Sequence, residues 1–197
     1  SALVRALCCM TNAHLTGGHT TEMLALVRAL PNEEFSPRTY YVSSGDAYSV
    51  GKAAEFEASR YGCSSVHTVE LPRARAVGQS WLTTPLSVMF SLLFCVWHMA
   101  VRPLVEPGPE PFADVVLMNG PGTLLQFAWL YGHYGYVRDG LNFSAHIQLL
   151  ALPAPKLIFV ESFARVRSLS LSGRLLRNVV DVFLVQWPTT HHGAVYR

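Results

Sequence analysis

Thr16-Gly17-Gly18-His19-Thr20-Thr21-Glu22 stands where an apolar strand, Leu3 to Met10, hands over to a helix read from His19 to Leu30. The helix assignment rests on Met23, Leu24, Val27 and Leu30, which share one face at helical spacing. Two glycines at such a junction let the backbone come close to a ligand. The helix N-terminus adds unpaired N–H groups and a partial positive charge, which suits a phosphate or diphosphate. A glycine turn of this kind is common in α/β folds. Its weight grows because a second one, Asn119-Gly120-Pro121-Gly122-Thr123, directly follows the strand Asp114 to Met118.

Outward from these two turns the chain alternates strands and helices. Thr39 to Ser43 reads as a strand, Ala47 to Tyr61 as a helix and Val66 to Leu71 as a strand. Pro72 to Ser80 is a loop carrying Arg73 and Arg75, and a helix is expected from Gly122 to about Tyr131. Residues Tyr131 to Pro155 resist assignment. Lys156 to Val160 is a strand, Ser168 to Val179 a capped helix and Asp181 to Val185 a last strand. This order predicts an α/β fold, a parallel sheet with helices on both faces, in one domain spanning residues 1–197.

Half of the 197 residues are apolar and 14% are charged, so the chain has little polar surface to spare. A formal charge of +2 is too small to argue for a nucleic-acid partner. Lys52 and Lys156 are the only lysines, and arginine suits planar oxyanions better. Cys8, Cys9, Cys63 and Cys95 lack CxxC spacing and read as reduced residues in a cytosolic redox environment. No secretory signal is read. The chain starts with Ser1, so an upstream segment is an expectation.

From Ala76 to Val101 there is no charged side chain, and Arg75 and Arg102 flank the run. An apolar helix is expected over 81–102, near the roughly 20 residues that span a bilayer. Thr84, Ser87, Ser91 and His98 share one face, opposite Leu82, Val88, Met89, Leu92, Phe94, Cys95 and Val96. Three readings stay open: a buried crossover helix, a helix lying in the membrane interface with Trp81 and Trp97 as anchors, and a true span.

The third junction is Glu161-Ser162-Phe163-Ala164-Arg165-Val166-Arg167-Ser168-Leu169-Ser170. A carboxylate at a strand's C-terminal end points into the crevice where open α/β sheets bind ligands. The arginines and hydroxyls after it suit a substrate with both sugar hydroxyls and a diphosphate. A structural salt bridge from Glu161 to Arg165 or Arg167 is the competing reading. His19 is either a helix-start residue bonded to backbone or a base for a hydroxyl. Tight turning is the competing reading for Gly17 and Gly18, and a solvated tail is the reading for His191 and His192. No spaced His/Cys/Asp set for a metal is found, and neither GxSxG nor a full GxGxxG occurs.

These residues resemble the asparagine-linked glycosylation protein 14 family, the membrane-anchoring subunit of the UDP-N-acetylglucosamine transferase that adds the second GlcNAc to dolichyl-diphosphate-GlcNAc. The resemblance rests on Gly17-Gly18-His19-Thr20-Thr21-Glu22-Met23, Ser36-Pro37-Arg38-Thr39-Tyr40-Tyr41, Pro72-Arg73-Ala74-Arg75 with Gln79-Ser80-Trp81, and Asn119-Gly120-Pro121-Gly122-Thr123. It continues through Val160-Glu161-Ser162, Arg165-Val166, Leu169-Ser170-Leu171-Ser172-Gly173, Asp181 and Val185-Gln186-Trp187-Pro188. Leu15 and Thr16 depart from it, standing where the family has two small residues.

The resemblance implies a Rossmann-like domain similar to the N-terminal half of a GT-B glycosyltransferase. It implies a split enzyme, active only in complex. This chain would bind dolichyl-diphosphate-GlcNAc at the cytosolic face of the endoplasmic reticulum membrane, with the nuclear envelope as a further location. A soluble partner of the asparagine-linked glycosylation protein 13 family would bring UDP-GlcNAc. His19 and Glu161 are the two candidates for the catalytic base. Gly17, Gly18, Thr20, Asn119, Gly120, Gly122, Thr123 and Arg165 are expected at the acceptor diphosphate. No metal or other cofactor is expected. Two alternatives stay beside this reading: a scaffold that recruits the partner without touching substrate, and a self-sufficient small transferase, for which the chain is short.

Overall fold

The computed structural model describes residues 6–10, 18–32, 34–62, 66–75, 78–97, 105, 113–119 and 155–187. Six strands form one parallel sheet: β1 (Ala6–Met10), β2 (Arg38–Ser43), β3 (His67–Leu71), β4 (Val115–Asn119), β5 (Lys156–Val160) and β6 (Val182–Leu184). Their spatial order is β3-β2-β1-β4-β5-β6, and every neighbouring pair runs parallel. This is the doubly wound, Rossmann-like order, which reverses between β1 and β4. The α/β expectation is borne out. Ligands of such sheets bind outside the strand C-terminal ends at that reversal.

Four helices are described: α1 (Gly18–Ala29), α2 (Ala47–Tyr61), α3 (Thr84–Val96) and α4 (Leu171–Leu176). Alternation along the strands divides the core between the two faces of the sheet. Tyr40, Val42, Leu117 and Val160 pack with Met23 and Val27 of α1 and with Ala53 and Phe56 of α2. Their sequence neighbours Tyr41, Met118 and Phe159 pack on the other side with Cys95 of α3 and Leu176 of α4. Phe159 stacks on Phe183 at 5.4 Å. Burial pushes the Cys8 thiol up to about 12 and the Cys95 thiol up to about 11, so both are inert core thiols.

The cap of α2 shows how local chemistry sets an element's ends. Asp46 Oδ1 accepts from Ser49 N at 3.1 Å, which satisfies an orphan donor of the first turn. Gly62 ends the helix at φ 66°, a left-handed conformation that favours glycine.

Two helices differ from their sequence expectations. The helix expected over Ser168 to Val179 is only six residues long, because Ser170 is its N-cap and Leu176 its last residue. The apolar helix is described over Thr84–Val96, 13 residues. Among the described residues no helix is long and apolar enough to cross a membrane. It follows β3 and precedes β4, yet it is not buried all round. Ser91 and Cys95 face the sheet, so Cys95 lies on the inner side rather than opposite Ser91. Residues i and i+4 share a helical face, which is the physical reason.

The outer side of α3 and its leading turn is apolar. Trp81, Leu82, Leu86, Met89, Phe90, Leu93 and Trp97 are all more than half exposed. The polar residues turn inward, where Ser87 Oγ donates to Ala74 O at 2.8 Å and Ser91 Oγ to Pro72 O at 2.9 Å. Arg102, His98, the helix expected from Gly122, residues 131–154, Cys63 and His191 and His192 lie outside the described residues.

A buried ion pair closes the far end of the sheet. Arg38 begins β2 and grips Glu57 of α2 with two parallel bonds, Nε to Oε1 at 2.7 Å and Nη2 to Oε2 at 2.8 Å. Tyr40 Oη also donates to Glu57 Oε1. Both charged side chains are about 5% exposed, at 5% and 6%. Burial works against the Glu57 charge, but the Arg38 and Tyr40 hydrogen bonds outweigh it and hold its pKa below the ordinary value. Burial and the Glu57 carboxylate push the Tyr40 hydroxyl up.

Removing one partner of such a pair leaves an uncompensated buried charge. Glu57→Ala is therefore expected to cost about 3–5 kcal/mol in urea unfolding. The carboxylate's folded pKa is depressed, so its contribution is full at neutral pH. It is lost as pH falls through the ordinary carboxylate range and past the folded value. Acid unfolding of Glu57→Ala should accordingly be less steep than that of the unsubstituted chain.

Candidate functional site

The crevice at the C-terminal ends of β1, β4 and β5 is built by three segments: the start of α1, the end of β4 and the loop after β5. Glu22, in the second turn of α1, joins them. Its Oε2 accepts from Asn119 Nδ2 at 2.9 Å, and Asn119 is the last residue of β4. Its Oε1 accepts from Ser162 Oγ and from Phe163 N, each at 3.2 Å. His19 completes the group, with Nδ1 3.1 Å from Asn119 Oδ1 and 3.6 Å from Glu22 Oε2. Asn119 is fully buried, so its amide needs protein partners, and among the described residues Glu22 and His19 meet its side chain. His19 and Glu22 keep 25% and 21% of their side chains exposed, enough to meet a ligand.

Glu161 takes a different place. It lies just past β5, is 2% exposed, and both carboxylate oxygens are engaged. Oε2 accepts from Ser170 N and Ser170 Oγ, each at 3.0 Å, and Oε1 accepts from Ser162 N at 3.1 Å. Ser170 Oγ in turn accepts from Gly173 N at 2.9 Å as the cap of α4. No ion pair joins Glu161 to Arg165 or Arg167 among the described residues, so the salt-bridge reading is not what holds it. The Arg165 and Arg167 side chains are exposed and have no side-chain partner among the described residues. Arg165 N donates to Ser162 O at 3.0 Å, which closes a turn in the loop after β5.

Two more rings stiffen that loop. Trp187 Nε1 donates to Phe163 O at 2.7 Å, and the two rings lie 4.7 Å apart. Thus Glu161-Ser162-Phe163 and Gln186-Trp187, far apart in sequence, form one wall.

The structure brings His19 and Asn119 into contact and places Glu161 and Arg165 in the same loop region. Thr20 does not reach the crevice with its side chain. It is 1% exposed, and its hydroxyl lies 2.6 Å from Ser49 Oγ, which itself donates to Asp46 Oδ2 at 2.6 Å. Gly18 opens α1, is exposed, and a Cβ there would meet nothing within 4 Å. The fold does not itself require a glycine at this position. Gly17, Gly120, Gly122 and Thr123 lie outside the described residues. Among the described residues no group of three His, Cys, Asp or Glu side chains could hold a metal ion.

Sequence reasoning gave Glu22 and Ser162 no role. The available signal was the spacing of three between His19 and Glu22 on one helix, which makes them neighbours.

The family model described as oligosaccharide biosynthesis protein Alg14 like matches residues 15–195. The chain belongs to the Alg14 family. The family match spans all three crevice segments. A protein named UDP-N-acetylglucosamine transferase subunit ALG14 from Cryptococcus neoformans is 40% identical over 176 residues, covering 88% of this chain and 71% of that protein. Proteins of the same name are 42% identical over 173 residues in Schizosaccharomyces pombe and 36% identical over 184 residues in Mus musculus. These two alignments each cover 88% of this chain and 72% and 73% of the relatives. No solved structure matches the chain at a significant level.

Gly173 tests the packing under Glu161. A Cβ added there would overlap Glu161 Oε2 and sit 3.3 Å from Phe183 Cζ. Both neighbours are buried and fixed, so Gly173→Ala is expected to destabilise the fold by about 1–3 kcal/mol. Thermal unfolding compared with Gly51→Ala, at an open helical position, checks it.

Proposed function

We propose that this chain is the acceptor-binding and membrane-recruiting subunit of a UDP-GlcNAc transferase in N-glycan precursor synthesis. The acceptor is dolichyl-diphosphate-GlcNAc, and a soluble partner of the asparagine-linked glycosylation protein 13 family binds the nucleotide sugar. The observation that carries this reading is the joining of three strand ends by Glu22 at the sheet's point of reversal. It supports one continuous crevice with a histidine, an exposed glycine at a helix N-terminus and two exposed arginines in the loop after β5.

Each group has chemistry to perform there. The α1 N-terminus and the guanidinium of Arg165 stabilise the diphosphate charge. Gly18 leaves space for phosphate oxygens against the backbone. His19 acts as the base for the acceptor hydroxyl, being partly exposed and oriented from one ring nitrogen. Glu161 is a positioning group, because its oxygens are taken up by Ser170 and Ser162 and it is screened from solvent.

The apolar outer face of α3 rests in the interface of the cytosolic leaflet of the endoplasmic reticulum membrane. Exposed apolar patches of this kind mark protein or membrane contacts. Arg75 favours the membrane reading, lying 4.0 Å over the ring of exposed Trp81 at the patch edge. An aromatic–cation pair of that kind suits the headgroup level.

Reconstitution with the soluble partner tests the site. GlcNAc transfer from UDP-GlcNAc to phytanyl-diphosphate-GlcNAc is expected to fall about 100-fold or more in His19→Ala. Gly18→Val should raise the acceptor KM without loss of folding. Both should still pull down the partner. Full activity in both variants would leave only the scaffold reading.

Flotation with vesicles tests the surface. Phe90→Glu with Leu93→Glu is expected to abolish binding to vesicles of mixed neutral and anionic phospholipid while leaving thermal unfolding unchanged, since both side chains are exposed. Undiminished flotation would assign the patch to a protein contact.

A further inference from the structure

Resting on the acceptor-site reading above, we propose that Glu22 is a positioning residue for the transfer reaction. It fixes the amide of Asn119 and, through it, the tautomer of His19, so that the neutral ring offers an unprotonated Nε2 to the acceptor hydroxyl.

The argument runs through donors and acceptors. An ionised carboxylate only accepts, so the Asn119 atom 2.9 Å from Glu22 Oε2 is the amide nitrogen. The other end of the amide, facing His19 Nδ1 at 3.1 Å, is then the oxygen, which also only accepts. Nδ1 must therefore carry a proton. In the neutral ring the lone pair sits on Nε2, which has no partner among the described residues. An amide is symmetric enough in shape to turn over, and with one neighbour it has no fixed sense. Glu22 removes that ambiguity. Asn119 is fully buried, so water does not compete for its amide.

The second carboxylate oxygen makes the arrangement stiff. Oε1 is held by Ser162 Oγ and by Phe163 N, each at 3.2 Å, which anchors the carboxylate to the loop after β5. The same contacts place the loop that carries Arg165. One side chain therefore sets both the base and the anion-binding wall.

In the step itself the acceptor oxygen forms a bond to the anomeric carbon of the donor sugar while its proton passes to His19 Nε2. The bond between that carbon and the diphosphate breaks, and UDP leaves with the electron pair. The imidazolium so formed keeps its Nδ1–H on Asn119 Oδ1, with the Glu22 charge 3.6 Å away, and later gives its proton to water.

The test uses the complex with the soluble partner in detergent micelles, with histidine labelled by nitrogen-15. Long-range proton–nitrogen spectra report the tautomer, and the His19 signal is assigned by its loss in His19→Gln. Wild type is expected to show the Nδ1–H form, the opposite of the Nε2–H form that a histidine side chain favours in water. In Glu22→Gln one carboxamide N–H must face either Asn119 or Phe163 N–H, so the Asn119 amide loses its bias. The Nδ1–H form should then fall to a mixture, with kcat reduced roughly 10–100-fold and KM changed by less than about threefold. A merely structural role would lower the unfolding temperature and leave the tautomer alone.

A Nε2–H tautomer in wild type overturns the proposal without any variant needing to fold, as does an unchanged Nδ1–H form in Glu22→Gln. A tautomer shift in Glu22→Gln, with kcat at the wild-type value in both that variant and His19→Gln, instead overturns the base assignment itself, and the positioning role with it.

Discussion

The carboxylate of Glu22 accepts hydrogen bonds from the end of one strand and from the loop after another, while its own helix starts from a third. Without that junction the crevice would be three separate loops. Parallel sheets leave their strand ends unconnected, because each strand leads away into a crossover. A group that reaches between them must come from a long side chain on a helix near the reversal of strand order. Glu22 occupies that position, and Asn119 and Ser162 meet it from either side. The buried amide of Asn119 and the cap at Ser170 are satisfied by the same few carboxylates, Glu22 and Glu161, which divide the work between facing the crevice and holding its wall.

The far side of the sheet follows an opposite logic. Arg38 and Glu57 are buried against each other, and their charges serve the fold rather than a ligand. Helix α3 inverts the usual amphipathic arrangement. Its serines donate to the carbonyls of Pro72 and Ala74 in the loop before it. Its large apolar residues face outward, where only another apolar phase or a partner protein compensates their exposure.

Much of the fold was legible in the sequence. Alternation of apolar runs with helical periodicity located every described strand to within a few residues, and the two ends of α2 fell where Asp46 and Gly62 place them. The length of α4 was not legible, since Val179 and Val180 continue the apolar pattern past Leu176, where the helix ends. The faces of α3 were half legible. Serine spacing located the inner side, but Cys95 belongs with Ser91 and not with the leucines. At the site, His19 and Asn119 were read as neighbours of one ligand, whereas their direct contact spans 100 residues of sequence. The partner of the Thr20 hydroxyl was not legible, because a hydroxyl at a helix start serves equally a phosphate or a neighbouring helix, and here it lies against Ser49. Glu161 stood out as a strand-end acid, which is a correct location, but only packing shows that both of its oxygens are consumed.

The central claim is that the crevice beside Glu22 holds the acceptor diphosphate. The most direct test is photo-crosslinking of the membrane-bound complex with a diazirine-bearing phytanyl-diphosphate-GlcNAc, with the adducts mapped by mass spectrometry. The account predicts adducts within residues 18–22 and 162–165 of this chain, competed by unlabelled acceptor. Competed adducts found on the soluble partner alone would contradict it.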